Sequence, residues 1–363
     1  MQQGLFRVLR DHFSGLDSRV FLCFIQILDA MIKLRTVNLA ELCIVAGNKG
    51  SHKSSNYRRL QRFFSKAKID AILVAKLIMN MFGGKRVVLC LDRTNWMFGK
   101  ANINILVLAI AYKGIAVPIL WSFIGHKGNS NYKQRIHLIQ RFINLFGKEC
   151  IETLLGDREF VGDEWLKWLD HRCIGFVIRV RDNMKIGRTK GELTTANNLL
   201  HALNPNETIS LQGKRRITNT SGAIKLYIAA CRNKDGVLVI VVTNQSPETA
   251  LEQYKVRWEI ENLFGCLKTR GFNFESTHIT DEHKINRMMC LLTIVFAYAY
   301  KIGEWKNEII PIKLKSHMRK SVSMFRYGLD VIRTCLLTPS THCSIMDLLN
   351  EKTCKKYFQA RLK

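Results

Sequence analysis

The stretch EQYKVRWEIENLFGCLKTRGF, residues 252–272, places four polar side chains where they could act together. On a helix turning about 100° per residue, Arg257, Glu261 and Lys268 fall within about 60° of Tyr254. Val256, Ile260, Leu263 and Leu267 lie at roughly 180–240° on the same wheel and form an adjoining apolar face. Such a helix packs with one side and presents a phenol, a guanidinium, a carboxylate and an ammonium beside it. Glu252 and Glu259 point away from that stripe. Two further acids, Asp92 in RVVLCLD and Asp157 in TLLGD, each close a short apolar run. That is where a strand delivers a side chain to the edge of a sheet. Three carboxylates from two strands and a helix could hold hard divalent cations, Mg²⁺ or alternatively Mn²⁺. Two such ions about 4 Å apart suit phosphodiester hydrolysis and transfer. Each piece also has a plainer reading. Arg257 and Glu261 make an ordinary i, i+4 pair on a solvated face, and an aspartate like Asp92 taken alone is more often a turn residue.

The elements that must position these groups are legible as changes of texture. Residues 1–80 alternate apolar runs with basic stretches, contain no proline and read as helical. Within them AGNKGSHKSSNYRRLQRFF is a loop opening into a helix that bears Arg58, Arg59 and Arg62. Arginines and small polar residues at a helix start suit phosphate contacts, and a solvated face suits them equally. From Lys85 onward short runs rich in β-branched residues predict strands at 86–92, 104–112 and 115–121. A Lys113-Gly114 turn joins the last two. A helix at 131–146, a strand at 150–155, a short helix at 163–170 and a strand at 173–180 follow. Three strands, helix, strand, helix, strand is the order of an RNase H-like α/β core with a mixed five-stranded sheet and flanking helices. Residues 182–246 interrupt it as a β-rich insertion, with a helical piece at 193–203 and strands at 223–231 and 237–243. A helix over 246–270, an apolar helix near 287–300 and a basic tail complete the chain. The expected domains are therefore a helical part at 1–80, a catalytic part at 81–304 and a basic helical C-terminal segment at 305–363.

Composition narrows the partner. The formal net charge is +27, and 14 basic against 5 acidic side chains lie in residues 1–85, 13 against 5 in 301–363. Charge of one sign at both ends suggests an extended polyanion such as nucleic acid; a membrane surface is the alternative. Eleven cysteines are scattered with no C-x-x-C pair, which fits a reduced, cytoplasmic chain better than a disulfide or zinc framework. Charged residues near the start leave no apolar stretch of signal-peptide type. The apolar run at 103–124 is split by Lys113-Gly114, and that at 288–300 is short for a bilayer span, so no membrane segment is expected. His52, His126 and His137 lack metal-ligand spacing, and no P-loop or GxGxxG is present, so neither ATP nor a dinucleotide is expected.

Tyr254-x2-Arg257-x3-Glu261-x6-Lys268 resembles the Y-x2-R-x3-E-x6-K signature of bacterial insertion-sequence transposases of the DDE, RNase H-like type, and Trp258 follows the arginine. That family has an aspartate ending the first core strand with threonine two residues on, matched by Asp92-Arg93-Thr94. Its second aspartate sits in a D-R-x-F context, matched by Asp157-Arg158-Glu159-Phe160. Looser similarity runs through 127–130, 176–181 and 315–329, so the resemblance is nearly full-length. It implies that Asp92, Asp157 and Glu261 bind two divalent ions and carry catalysis. It also implies that Tyr254, Arg257, Lys268, Trp258 and Arg158 contact DNA. The implied partners are transposon inverted-repeat ends and target DNA, bound by a homodimer in the bacterial nucleoid. The implied reaction frees a 3′-hydroxyl that attacks the opposite strand to leave a hairpin, which is reopened and joined to target DNA. The family's tryptophan for a flipped base has no counterpart, because none lies between Trp168 and Trp258. Two rivals remain: an RNase H-like nuclease or resolvase without strand transfer, and a non-catalytic DNA-binding derivative.

Overall fold

The computed structural model of the chain describes residues 5–47, 50–187, 192–218, 224–316 and 318–338. Part of the expected C-terminal segment, 339–363, lies outside the described residues. The chain divides into two compact units, Met1–Met81 with Phe264–Lys363, and Phe82–Leu263.

The proline-free N-terminal region forms α1 (Leu5–His12), α2 (Ser18–Leu34), α3 (Leu39–Val45), α4 (Lys53–Lys66) and α5 (Ala71–Phe82). Asp17 caps α2 by accepting from the Arg19 N–H, and Asn38 caps α3 from Ala40. Such caps satisfy amide donors that a helix start leaves open.

In the second unit the apolar runs build β1 (Val87–Phe98), β2 (Ala101–Tyr112), β3 (Ile115–Phe123), α6 (Tyr132–Phe146), β4 (Ile151–Gly156), α7 (Asp163–His171) and β5 (Phe176–Val180). β1, β2 and β3 form an antiparallel meander, while β4 lies parallel to both β1 and β5. This is the five-stranded mixed core in the expected order. β1 is longer than expected. Asp92 sits mid-strand, one residue beyond Leu91↔Gly156, the last pairing of β1 with β4. Past that point β1 continues only with β2, as a ribbon.

The insertion supplies β6 (Lys185–Gly187), β7 (Leu193–Thr195), α8 (Ala196–Leu199), β8 (Thr208–Ser210), β9 (Arg215–Thr218), β10 (Ile224–Arg232) and β11 (Leu238–Thr243). The helix expected at 193–203 is corrected to β7 and a single turn, α8. Leu193 pairs with Gly187, and Thr195 takes the cap position. Rather than standing apart, the insertion extends the sheet, in the order β3-β2-β1-β4-β5-β11-β10-β9-β6-β7 with β8 beside β10. β11 runs antiparallel along β5 and covers what would be a bare apolar edge.

The helix expected over 246–270 is corrected to two, α9 (Pro247–Lys255) and α10 (Trp258–Leu267). At the joint the Val256 and Arg257 amides bond three residues back, to the carbonyls of Gln253 and Tyr254, and the ladder tightens. No glycine or proline marks this break, so periodicity could not show it. Beyond it, Glu259 accepts from the Tyr112 N–H (2.7 Å) and the Gly114 N–H (2.8 Å). Both residues of the β2–β3 turn, Lys113 (φ 49°) and Gly114 (φ 94°), are left-handed as a two-residue hairpin of this twist requires. Lysine is an unfavourable occupant of that conformation. Glu259 offsets the cost by holding the turn amides, and so ties α10 to the meander.

The first unit is completed by α11 (Glu282–Ile309) and α12 (Met324–Leu337). α11 is long and apolar enough to cross a membrane, yet 78% of its most apolar window is buried inside the fold. Arg287 on α11 donates to the carbonyls of Phe64 (2.9 Å) and Ala67 (2.6 Å), satisfying the end of α4.

Candidate active site

Parallel pairing sets the middle of β1 beside the end of β4, and with them Asp92 beside Asp157. Asp92 Oδ1 accepts from the Arg93 N–H at 2.7 Å, and Asp157 Oδ1 accepts from the Arg158 N–H at 2.7 Å. The broken helix reaches both. The Tyr254 hydroxyl donates to Asp157 Oδ1 at 3.2 Å. One nitrogen of Arg257 donates to Asp92 Oδ2 at 3.1 Å, and another pairs with Glu261. Arg257 is only 6% exposed and therefore bridges two of the three acids from within the protein. Its guanidinium also lies over the Tyr254 ring, 5.8 Å from the centroid.

The electrostatics follow from that burial. Loss of hydration pushes the Asp92 carboxyl up to about 6, against the lowering influence of the Arg93 amide and the Arg257 charge. Glu159 and Asp157 raise it further by repulsion. Burial likewise pushes the Tyr254 phenol up to about 12, so it is a donor at neutral pH. Burial opposes the Arg257 charge, but Tyr254, Asp92, Asp157 and Glu261 together outweigh it and hold the side chain protonated. A surplus of buried negative charge at this point is thus balanced by one arginine.

The donor set has the chemistry of a hard-cation site, since all three acids offer oxygen only. Among the described residues no three His, Cys, Asp or Glu side chains converge as a ready-made metal cage. Arg257 stands between Asp92 and Glu261 and pairs with both.

The other expected site residues are placed as follows. Trp258 is 61% exposed beside Arg257, and Arg158 is exposed beside Asp157. Lys268 lies past the end of α10, in the other unit, and pairs with Glu275 at 2.7 Å. In the N-terminal helices Arg58 and Arg62 are exposed, whereas Arg59 donates to Gln26 at 2.7 Å and to the Ala46 carbonyl. Arg59 therefore does structural service between α2 and α4.

Sequence reasoning missed a group of residues around Asp92. Arg93 clamps Glu159 through Nε and Nη2, at 3.2 and 3.1 Å; Nη2 also reaches Asn129, and Nη1 reaches Asn95 and Asn104. Arg135, 5% exposed, donates to Ser130 and to the Glu159 carbonyl at 3.0 Å. These bonds hold the loop after β3 and the turn after β4 against β1, and so set where Asp157 stands. The adjacency of Glu159 to Asp157 was the available signal. Its partner, 66 residues away, was not legible.

The family model for the transposase DDE domain matches residues 83–298, more than half of the chain. The chain belongs to that family. It is an insertion-sequence type of DDE transposase, an enzyme that cleaves DNA and transfers strands. Its substrate is DNA, and enzymes of this kind use divalent metal ions. The large mixed sheet with flanking helices agrees with the RNase H-like fold of such transposases. No curated protein matches the chain.

Proposed function

We propose that this transposase cuts at inverted-repeat ends and joins the freed 3′-hydroxyl to target DNA, with Asp92, Asp157 and Glu261 as its catalytic carboxylates. The observation that carries the assignment is the bridge made by Arg257, which joins Asp92 to Glu261 while Tyr254 holds Asp157. Polar groups from three separate segments of the chain meet at the carboxyl end of β4 and its parallel neighbour, the usual place for a site in an α/β sheet.

Asp92, Asp157 and Glu261 would hold two Mg²⁺ ions, with Mn²⁺ as a substitute. When bound, such ions supply an activated oxygen nucleophile and stabilise the leaving oxygen of an in-line displacement. The chain's own residues do the positioning. Arg257 neutralises the carboxylates until a DNA phosphate offers it a second anion, and guanidinium matches phosphate in a two-bond geometry. Tyr254 keeps its proton and orients Asp157. Arg158, Trp258 and Lys268 would contact the strand beyond the cut. The resemblance implies a route in which the 3′-hydroxyl first closes a hairpin on the opposite strand, and we extend that route to this chain. The helices of residues 1–80 grip the ends through Arg58 and Arg62, and 305–363 adds positive charge. Two copies act on paired ends, in the cytoplasm where the nucleoid lies.

The test is metal-dependent nicking of end-containing DNA. Asp92→Ala and Asp157→Ala should abolish nicking while leaving DNA affinity intact. The wild-type protein should join precut ends to a plasmid. Nicking without joining would leave a nuclease or resolvase, and joining by Asp92→Ala would remove the carboxylate assignment.

A further inference from the structure

The strand that carries Asp92 does not stop at the site. Pairing with β4 ends at Leu91, and the last pairing of β2 with β3 is Ile105↔Phe123. From Asn95↔Asn104 outward, β1 and β2 continue as a two-stranded ribbon through Trp96↔Ile103, Met97↔Asn102 and Phe98↔Ala101. Gly99 (φ 57°) and Lys100 make the tip, a two-residue turn with glycine at its first central position. Beyond its last strand pairing with β3 and β4, this ribbon carries partly exposed apolar side chains. Met97 is 48% exposed and Phe98 40% exposed, and Lys100 is exposed beside them.

The segment that builds the tip and the loop beside it carries charge of one sign. From Arg93 to Asn131 there is no aspartate or glutamate, and Lys100 and Lys127 lie toward the tip end of β2. The loop carrying Lys127 is tied to the root of the ribbon. Asn102 donates to the His126 carbonyl at 3.1 Å, and Asn104 to the carbonyls of His126 (2.8 Å) and Gly128 (2.9 Å). Exposed Lys127 is thereby held on the same ribbon as Lys100. An apolar point flanked by exposed lysines, on a segment without acids of its own, fits a polyanion that has apolar surface between its charges. Duplex DNA is such a partner: apolar wedges enter its minor groove while cations hold the flanking phosphates. A protein partner matched to this tip would need an acidic rim, and a second copy of a chain with net charge +27 supplies one poorly.

We infer that the β1–β2 ribbon tip is a DNA-contacting wedge, in which Phe98 and Met97 insert into the minor groove and Lys100 and Lys127 bind phosphates on either side. Phe98 stands six residues beyond Asp92. An extended strand therefore sets it about 20 Å from the acid, or about six base-pair steps along a duplex lying over the carboxylates. The wedge thus fixes the register in which the DNA meets the site. This placement rests on the proposed carboxylates, but DNA contact by the tip does not.

The experiment places p-benzoylphenylalanine at position 98 of the full-length protein, irradiates it with end-containing duplex DNA, and maps the adduct. A crosslink about six base pairs from the cut is expected, and it should persist in an Asp92→Ala background, which does no chemistry. Phe98→Ser with Met97→Ser should weaken DNA binding about tenfold, as expected for loss of an apolar contact with bases. Lys100→Ala should reduce the slope of affinity against salt. Retained crosslinking with no wild-type cleavage would remove the carboxylate reading and keep the wedge. Crosslinking to a second protein chain, or unchanged affinity in the double variant together with an unchanged salt slope in Lys100→Ala, would overturn the wedge, whatever the state of cleavage.

Discussion

The carboxyl end of the parallel strands and the α11–α12 contact are both buried, and they are built to opposite rules. At the strand ends, Asp92, Asp157, Tyr254 and Arg257 put charge and hydroxyl into the protein, and burial drives the Asp92 carboxyl upward. In the other unit, α11 and α12 approach so closely that backbone meets backbone. A Cβ on Gly328 would stand 1.8 Å from the Ala299 carbonyl oxygen, and one on Gly303 2.1 Å from that of Met324. At those glycines the helix pair meets through backbone, with no charged group between. The strand ends hold a charge arrangement that burial makes costly, and under the proposed function it serves binding. The difference teaches which residues can be removed with loss of function only, and which with loss of fold.

Exchanging the two kinds of defect tests that contrast. The largest effect is expected at Glu261. Glu261→Ala should lower cleavage by on the order of a thousandfold or more, about 4 kcal/mol of activation free energy, with no fall in melting temperature. Normal cleavage would move the role to another acid. The helix contact should respond in the opposite sense. Gly328→Ala is expected to destabilise the protein by about 3 kcal/mol, because backbone atoms must part. A chemical denaturation midpoint equal to wild type would show that the helices separate freely.

Asp92 sharpens the comparison through pH. Its folded carboxyl titrates at about 6, above its unfolded value of about 3.9, so protonation favours the folded state. The resulting stability is fully present below the unfolded value and is lost as pH rises through about 6. Asp92→Asn should therefore stabilise the metal-free protein by roughly 1–2 kcal/mol at pH 7.5. It should give no gain near pH 4. A destabilised variant at pH 7.5 would show that the pairing with Arg257 outweighs the desolvation.

Glu259 provides an internal control two residues from Glu261. Glu259→Gln loses one of two amide acceptors on the Lys113-Gly114 turn. It should cost about 1 kcal/mol of stability and leave DNA affinity unchanged. The smallest effects belong to single surface arginines. Arg58→Ala with Arg62→Ala should weaken end binding and flatten its salt dependence without moving the melting temperature. Arg59→Ala should lower that temperature, because its bonds to Gln26 and Ala46 join two helices. The reverse pattern would exchange their roles.

Much of this was legible from residues alone. Apolar runs ending in Asp92 and Asp157, the lysine-glycine turn and the alternation of helix and strand are local features, and local features determine which elements form. They located the five core strands in order and set Tyr254, Arg257 and Glu261 near one another. Three matters were decided only in three dimensions. The insertion extends the sheet because β5 needs a partner on its open edge. α9 and α10 separate because Arg257 is drawn into a buried pair with an acid 165 residues away, for which the helix itself carries no sign. Glu259 and Glu261 share a residue type and a neighbourhood in sequence, yet one holds a turn and the other meets the arginine. Hydropathy period specifies the face a residue occupies. What waits opposite that face depends on the chain folding back on itself, and that decides what the charge is for.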